Sequence, residues 1–167
     1  MSEQALNQIA QQVTEALLGK GERMATVESC TGGGIAKLMT DLAGSSAVFE
    51  CGFVTYSNES KQQMVGVSSK ALDEFGAVSE QVAAEMSSGA LERANADITV
   101  SVTGIAGPEG GTDYKPVGTV CFAWAYNASL LTETRHFSGD RKAVREQTIE
   151  YALQGVLKQL AAKSNAT

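Results

Sequence analysis

The sequence predicts one α/β domain, and three observations carry that prediction. The chain has 167 residues, enough to bury a substantial core without metals or disulfides. Apolar residues recur at helical spacing near both ends. Between them lie short runs rich in β-branched and aromatic residues, punctuated by glycines, which read as strands.

Taken in order, Ala5, Ile9, Val13, Ala16 and Leu17 recur at helical spacing among Gln and Glu. This predicts an amphipathic helix over 3–19 that stops at Gly21. Met24 to Val27 is a short apolar strand. Beyond the glycines that follow, Ile35, Ala36, Leu38 and Met39 make a short helix, closed by the Asp41 to Ser46 region with its Gly44. Val48 to Tyr56 is the next strand, and Gly52 inside it signals a bulge or a close backbone approach. One or two helical turns cover Asn58 to Met64, and Ser68 or Ser69 caps a second short helix through Phe75. Ser79 caps a longer one whose apolar face is Val82, Ala83, Met86, Ala90 and Leu91.

Ile98, Val100 and Val102 alternate with Thr99 and Ser101, a strand running into Thr103. The stretch Thr103 to Gly118 holds both prolines, Pro108 and Pro116, and five glycines. Loops of that length are uncommon in compact domains and are often functional. Thr119 to Tyr126 and Leu130 to Phe137 form paired strands joined near Asn127 and Ala128. Asp140 then caps a final helix from Arg141 to about Ala162, with Val144, Ile149, Ala152, Leu153, Val156 and Leu160 inward. The closing KSNAT is expected to fray.

Composition narrows the function classes. A net charge of -6 and a pI near 4.8 oppose nucleic-acid binding, which needs a basic face to displace counterions. The apolar runs are too short to cross a bilayer. The N-terminus MSEQALNQIAQQVTEALL lacks the charged start, apolar stretch and cleavage site of a secretory signal. A cytoplasmic location with no membrane partner is therefore expected. Cys30, Cys51 and Cys121 are odd in number and lack CxxC spacing, so neither a disulfide framework nor a zinc ribbon is indicated.

The chemistry centres on ATVESCTGGG, Ala25 to Gly34. Ser29 stands at a strand-to-helix junction, where free N–H groups suit a nucleophile or a structural turn. A serine nucleophile needs a base. The single histidine, His136, lies in a late strand, which disfavours a Ser-His-Asp triad. Lysine replaces histidine when burial or neighbouring positive charge lowers its pKa. Lys61 is the best placed, just beyond a strand whose end can lie beside Ser29, with Tyr56 between them to relay or orient a proton. Cys30 is the rival nucleophile, since a thiol at a helix N-terminus can have a depressed pKa. Thr31 and the glycines Gly32 to Gly34 allow close backbone approach to a ligand, without P-loop or GxGxxG spacing. Arg141 and Arg145 share one face of the last helix near its N-terminus, which hints at an anionic ligand or a carboxylate partner.

Six motifs in one order then carry a resemblance: ESCTGG (Glu28 to Gly33), GFVTYSNESK (Gly52 to Lys61), GAVSE (Gly76 to Glu80), TGIAGPEGG (Thr103 to Gly111), KPVGTV (Lys115 to Val120) and FSGDR (Phe137 to Arg141). The chain resembles the CinA C-terminal domain family, in particular its stand-alone nicotinamide-nucleotide amidohydrolases, from the first helix to the last. The resemblance implies that residues 1–167 form one amidohydrolase domain, a three-layer α/β/α sandwich with a mixed central sheet. It also implies hydrolysis of the carboxamide of nicotinamide mononucleotide to nicotinate mononucleotide and ammonia, which recycles pyridine nucleotide for NAD synthesis.

On this basis Ser29 is the nucleophile and Lys61 and Tyr56 manage the proton, with no metal or cofactor. N–H groups around Cys30, Thr31 and Gly32 steady the oxyanion. Thr103, Gly104, Ala106 and Gly107 line the nucleotide site, Arg141 or Arg145 neutralises the phosphate, and a homodimer is expected. The pyrophosphatase domain of longer family members is not expected here. The competing expectation is a nucleotide-binding module without hydrolysis, in which Ser29 and Lys61 are structural.

Overall fold

The computed structural model describes residues 2–164. Helix α1 spans Glu3–Lys20. Ser2 accepts a hydrogen bond from the Ala5 N–H at its start, and Gly21 closes it at φ 64°. Strand β1 (Met24–Glu28) leads through a turn to α2 (Gly34–Thr40), and a 3-10 turn over Ser45–Ala47 leads to β2 (Phe49–Val54). Three helices follow: α3 (Asn58–Val65), α4 (Ser69–Phe75) and α5 (Glu80–Arg93). Strands β3 (Ile98–Gly104), β4 (Thr119–Tyr126) and β5 (Ser129–His136) precede α6 (Arg141–Ser164).

The sheet runs β2-β1-β3-β4-β5. β1 is parallel to both β2 and β3, and the last three strands are antiparallel. The sheet is therefore mixed, as the resemblance implies, with helices on both faces. The Asn127–Ala128 hairpin has both residues at positive φ, 49° and 63°, the geometry that matches strand twist in a two-residue turn.

Alternation along β3 separates the layers. Ile98, Val100 and Val102 join Ile9, Val13 and Leu17 of α1 and Leu153 and Val156 of α6 in the main core. The opposite face is polar yet equally buried. There Thr99 Oγ1 donates to the Ser87 carbonyl (2.8 Å) and Ser101 Oγ to the Ala83 carbonyl (2.6 Å), both on α5. Thr103 Oγ1 donates to the Ala77 carbonyl (2.8 Å) just ahead of that helix. Buried hydroxyls thus find partners on helix backbone, which removes the cost of burying them unpaired.

Several boundaries differ from expectation, most by one residue, with β2 and α6 differing more. β2 is trimmed at both ends to Phe49–Val54, because Val48 closes the 3-10 turn and Thr55 and Tyr56 leave the ladder to face the site. Gly52 marks close approach rather than a bulge: a Cβ there would sit 2.8 Å from Thr26 Oγ1 and 3.3 Å from Ala36 Cβ. The register shift lies between Met24 and Ala25 instead. α6 reaches Ser164, past the expected end at Ala162, and the remainder of the KSNAT tail lies outside the described residues.

The parallel strands place the site. β1, β2 and β3 end side by side, with the Ser29 N–H donating to Val102 (3.0 Å) and the Thr55 N–H to Glu28 (2.9 Å). Open α/β sheets gather ligands at the carboxyl ends of such strands.

Candidate active site

Successive residues of an extended chain point to opposite sides. Val27 packs with Val65 of α3, and Ser29 two residues on faces the same way. Lys61, on the inner face of α3, points back at it: Lys61 Nζ lies 3.0 Å from Ser29 Oγ. The amine also donates to the carbonyls of Thr55 (2.8 Å) and Tyr56 (3.2 Å). Lys61 is only 1% exposed and forms no ion pair among the described residues. Burial therefore holds its pKa below the ordinary lysine value.

Two carbonyls and one hydroxyl around one nitrogen have a chemical consequence. A neutral amine has two N–H donors and one lone pair. With both donors engaged by Thr55 and Tyr56, the lone pair faces Ser29 Oγ and can take its proton.

The expected relay through the Tyr56 phenol is not what the geometry offers. The Tyr56 carbonyl meets Lys61, and it lies 3.5 Å from Ser29 Oγ. The phenol reaches the other way and accepts a hydrogen bond from Arg141 Nη2 (3.3 Å). The backbone leaves β2 at this point, so carbonyl and side chain serve opposite walls.

Cys30 is removed as a nucleophile by its surroundings. The side chain belongs to the main core, and burial pushes the thiol up to about 12, far from thiolate at neutral pH. Its backbone remains relevant. The Ser29 N–H is used by Val102 and the Gly32 N–H by the Ser29 carbonyl (3.0 Å). Among the turn residues Cys30 to Gly32 expected to steady an oxyanion, Gly32 is thus already engaged. Cys30 and Thr31 keep their N–H groups outside the backbone network.

A cavity of about 280 Å³ opens over the pair, lined by Ser29, Tyr56, Asn58, Lys61, Thr103 and Arg141 together with Gly104, Ile105, Ala106, Gly107, Glu109 and Gly110. That is near the lower end for small-ligand sites. The TGIAGPEGG segment, from Thr103 to Gly110, forms one wall of that cavity. Gly104 is required by packing and not by a ligand, since a Cβ there would lie 2.7 Å from Val120 Cγ2 and 2.9 Å from the Thr119 carbonyl oxygen.

The arginines divide. Arg141 lines the cavity, and its Nη1 donates to the Gly107 carbonyl (2.8 Å), tying the glycine loop to Tyr56. Arg145 does not line it. Its Nε and Nη2 hold the carbonyls of Cys30 and Thr31, each at 3.1 Å. Thr31 and Gly32 likewise do not line the cavity: Thr31 Oγ1 donates to Glu28 Oε1 (2.6 Å), and a Cβ at Gly32 would lie 3.4 Å from Arg145 Nη2.

Residues that the sequence analysis did not single out include the Thr55 carbonyl, Asn58, Ala77, Val78 and Glu109. A larger neighbouring groove of about 660 Å³ shares only Val78 with the cavity and is lined by Phe75, Tyr114, Lys115 and His136 among others. His136 is therefore on the wrong surface to serve Ser29. No cluster of three or more metal-ligating side chains is found among the described residues, and no helix among them is long and apolar enough to cross a membrane.

Residues 6–160 match the CinA C-terminal domain. The chain belongs to the CinA C-terminal domain family. Within that family it is 54% identical to the nicotinamide-nucleotide amidohydrolase PncC of Escherichia coli (strain K12), over 95% of this chain and 97% of that protein. It is 46% identical to the protein of the same name from Pseudomonas putida, over 89% of this chain and 93% of that one. A CinA superfamily protein from Klebsiella pneumoniae superposes with a TM-score of 0.91 at 39% identity, covering 94% of this chain and 98% of the other. The competence/damage inducible protein CihA from Agrobacterium tumefaciens gives 0.90 at 42%, covering 94% and 96%. The family domain thus has the same three-layer architecture in solved structures as in this chain.

Proposed function

We propose that this chain hydrolyses the carboxamide of nicotinamide mononucleotide to nicotinate mononucleotide and ammonia, recycling pyridine nucleotide for NAD synthesis. The observation that carries this reading is the buried amine of Lys61 at 3.0 Å from Ser29 Oγ, with no carboxylate paired to it among the described residues. The names of the PncC relatives supply the substrate.

Ser29 Oγ attacks the carboxamide carbon as its proton passes to neutral Lys61. The oxyanion faces the N–H groups of Cys30 and Thr31. Lys61 then returns the proton to the departing nitrogen, which leaves as ammonia and an acyl ester on Ser29. Water adds to that ester as Lys61 takes one of its protons; the acyl–oxygen bond then breaks, Lys61 hands that proton to Ser29 Oγ, and the nicotinic acid released ionises to the carboxylate. Arg141, on the cavity wall, pairs with the substrate phosphate, and the phenol of Tyr56 orients the guanidinium. Thr103, Gly104, Ala106 and Gly107 form the wall against the nucleotide. Arg145 holds the turn and does not contact the ligand.

A homodimer in the cytoplasm belongs to the same reading; the three unpaired thiols suit a reducing compartment. A binding-only module would need the phosphate wall but has no use for a buried amine, its pKa lowered by burial, 3.0 Å from a hydroxyl. Ammonia release from nicotinamide mononucleotide by the purified chain is the test. Ser29→Ala is expected to lower kcat about 1,000-fold or more while nucleotide binding persists. A folded chain that binds the nucleotide and releases no ammonia leaves only the binding module.

A further inference from the structure

Glu28 has no part in the steps above, yet it is fully buried beside the nucleophile. Alternation turns it away from the cavity: where Ser29 faces α3, the Glu28 side chain faces α2. Both carboxyl oxygens are engaged. Oε1 accepts from Thr31 Oγ1 (2.6 Å) and from the Ile35 N–H (2.8 Å), and Oε2 accepts from the Ala36 N–H (3.0 Å). No cation pairs with it among the described residues.

The local sequence explains why a strand residue takes these donors. α2 begins after Gly33, which sits at φ 99° and has no side chain to cap the helix. Its first N–H groups would be orphaned in the interior, and Glu28 reaches across the turn to take two of them. The turn between Glu28 and α2 carries both Ser29 and the N–H groups of Cys30 and Thr31. It is gripped from two sides. Glu28 holds the Thr31 hydroxyl, and Arg145 holds the Cys30 and Thr31 carbonyls. In a trans peptide the carbonyl and the following N–H point oppositely, so fixing the Cys30 carbonyl also fixes where the Thr31 N–H points.

We infer that Glu28 is a positioning residue for the hydrolysis: through Thr31 and the start of α2 it sets the turn that aims Ser29 Oγ and the oxyanion donors at the scissile carbonyl. The inference rests on the proposed amide hydrolysis. Because Glu28 touches neither the cavity nor Lys61, its effect falls on the chemical step. Substrate affinity and the titration of the base are left alone.

The test is steady-state kinetics of Glu28→Gln on nicotinamide mononucleotide across pH, alongside a melting curve. The amide keeps the length of the side chain but replaces one acceptor oxygen with a donor, which opposes the Ala36 N–H or the Ile35 N–H. Expected is a kcat lowered about 10- to 100-fold, the loss that follows from misplacing a reacting group or one oxyanion donor. KM stays within about twofold, and the rising limb of the pH profile stays in place. Should Glu28→Gln fail to fold, Thr31→Val removes only the hydroxyl end of the same link and is read by the same three quantities. A folded variant with wild-type kcat, a loss confined to KM, or a displaced pH limb overturns the inference. A wild-type chain that releases no ammonia instead overturns the reaction itself, so the two failures are told apart by the unmutated control.

Discussion

In the proposed reaction Lys61 accepts the Ser29 proton only as a neutral amine, and its surroundings set the pH at which that form appears. Burial lowers its pKa, so protonated amine dominates below the shifted value and neutral amine above it. kcat/KM for nicotinamide mononucleotide is therefore expected to rise with pH through a single limb lying below the ordinary lysine range and then level off. A limb at the ordinary lysine value would remove Lys61 as the base. Arg141 carries a different expectation. Arg141→Gln removes the charge facing the phosphate and should raise KM about 10-fold or more with a smaller change in kcat. It should also narrow the preference for the nucleotide over its phosphate-free nucleoside. Equal losses on both substrates would place the phosphate elsewhere. The residue types of this site were legible in the sequence, but the direction in which each one faces was not. Arg141 and Arg145 lie one turn apart on the same helix, and spacing alone cannot say that one meets the cavity while the other meets the Cys30 carbonyl. Tyr56 shows the same limit, since its carbonyl and phenol serve opposite walls. Glu28 entered only as the first residue of the ESCTGG motif, beyond the expected strand end at Val27; the available clue was a helix opening on three glycines with no capping side chain.

At the scale of elements, the position of Lys61 depends on how closely α3 approaches α5. Gly89 of α5 permits the contact: a Cβ there would run into the Val65 carbonyl oxygen at the end of α3. Gly89→Ala is accordingly expected to cost about 3 kcal/mol in urea unfolding and to lower kcat, because α3 must move and takes Lys61 with it. An unchanged midpoint with unchanged kcat would show that the two helices have slack. Gly89 sits inside an otherwise ordinary helical pattern, so the sequence marks the helix and not the contact. The elements themselves were readable because each declares itself locally. The alternation of Ile98, Val100 and Val102 identifies β3, and Ser79 and Asp140 do cap α5 and α6. Local signals fail at the ends of β2, where a 3-10 turn and the exit of Thr55 toward Lys61 are tertiary effects. They also fail for the hydroxyl face of β3, whose burial is set by acceptors on and just ahead of α5.

Over the whole molecule, the residues of the proposed site come from segments far apart in the chain. Ser29 follows β1, Lys61 belongs to α3, Thr103 ends β3 and Arg141 starts α6. The order β2-β1-β3-β4-β5 brings them together, and that order rests on non-local pairing that no local pattern in the sequence encodes; the resemblance implied a mixed sheet and not its strand order. Three features bind the site to the fold as a unit. Ser29 is hydrogen-bonded to β3 through Val102, the Thr55 N–H is tied to Glu28 at the end of β1, and Arg145 of α6 grips the turn. None of these groups is carried on an independent lid. Loss of activity and loss of helical signal are therefore expected to share one midpoint in urea, as in the cooperative unfolding of a small domain. Activity lost in a separate transition at lower urea would mean that the turn, α3 or the glycine loop opens locally while the sheet stands. In that case the anchoring of Ser29 to the central strands is weaker than its hydrogen bonds imply.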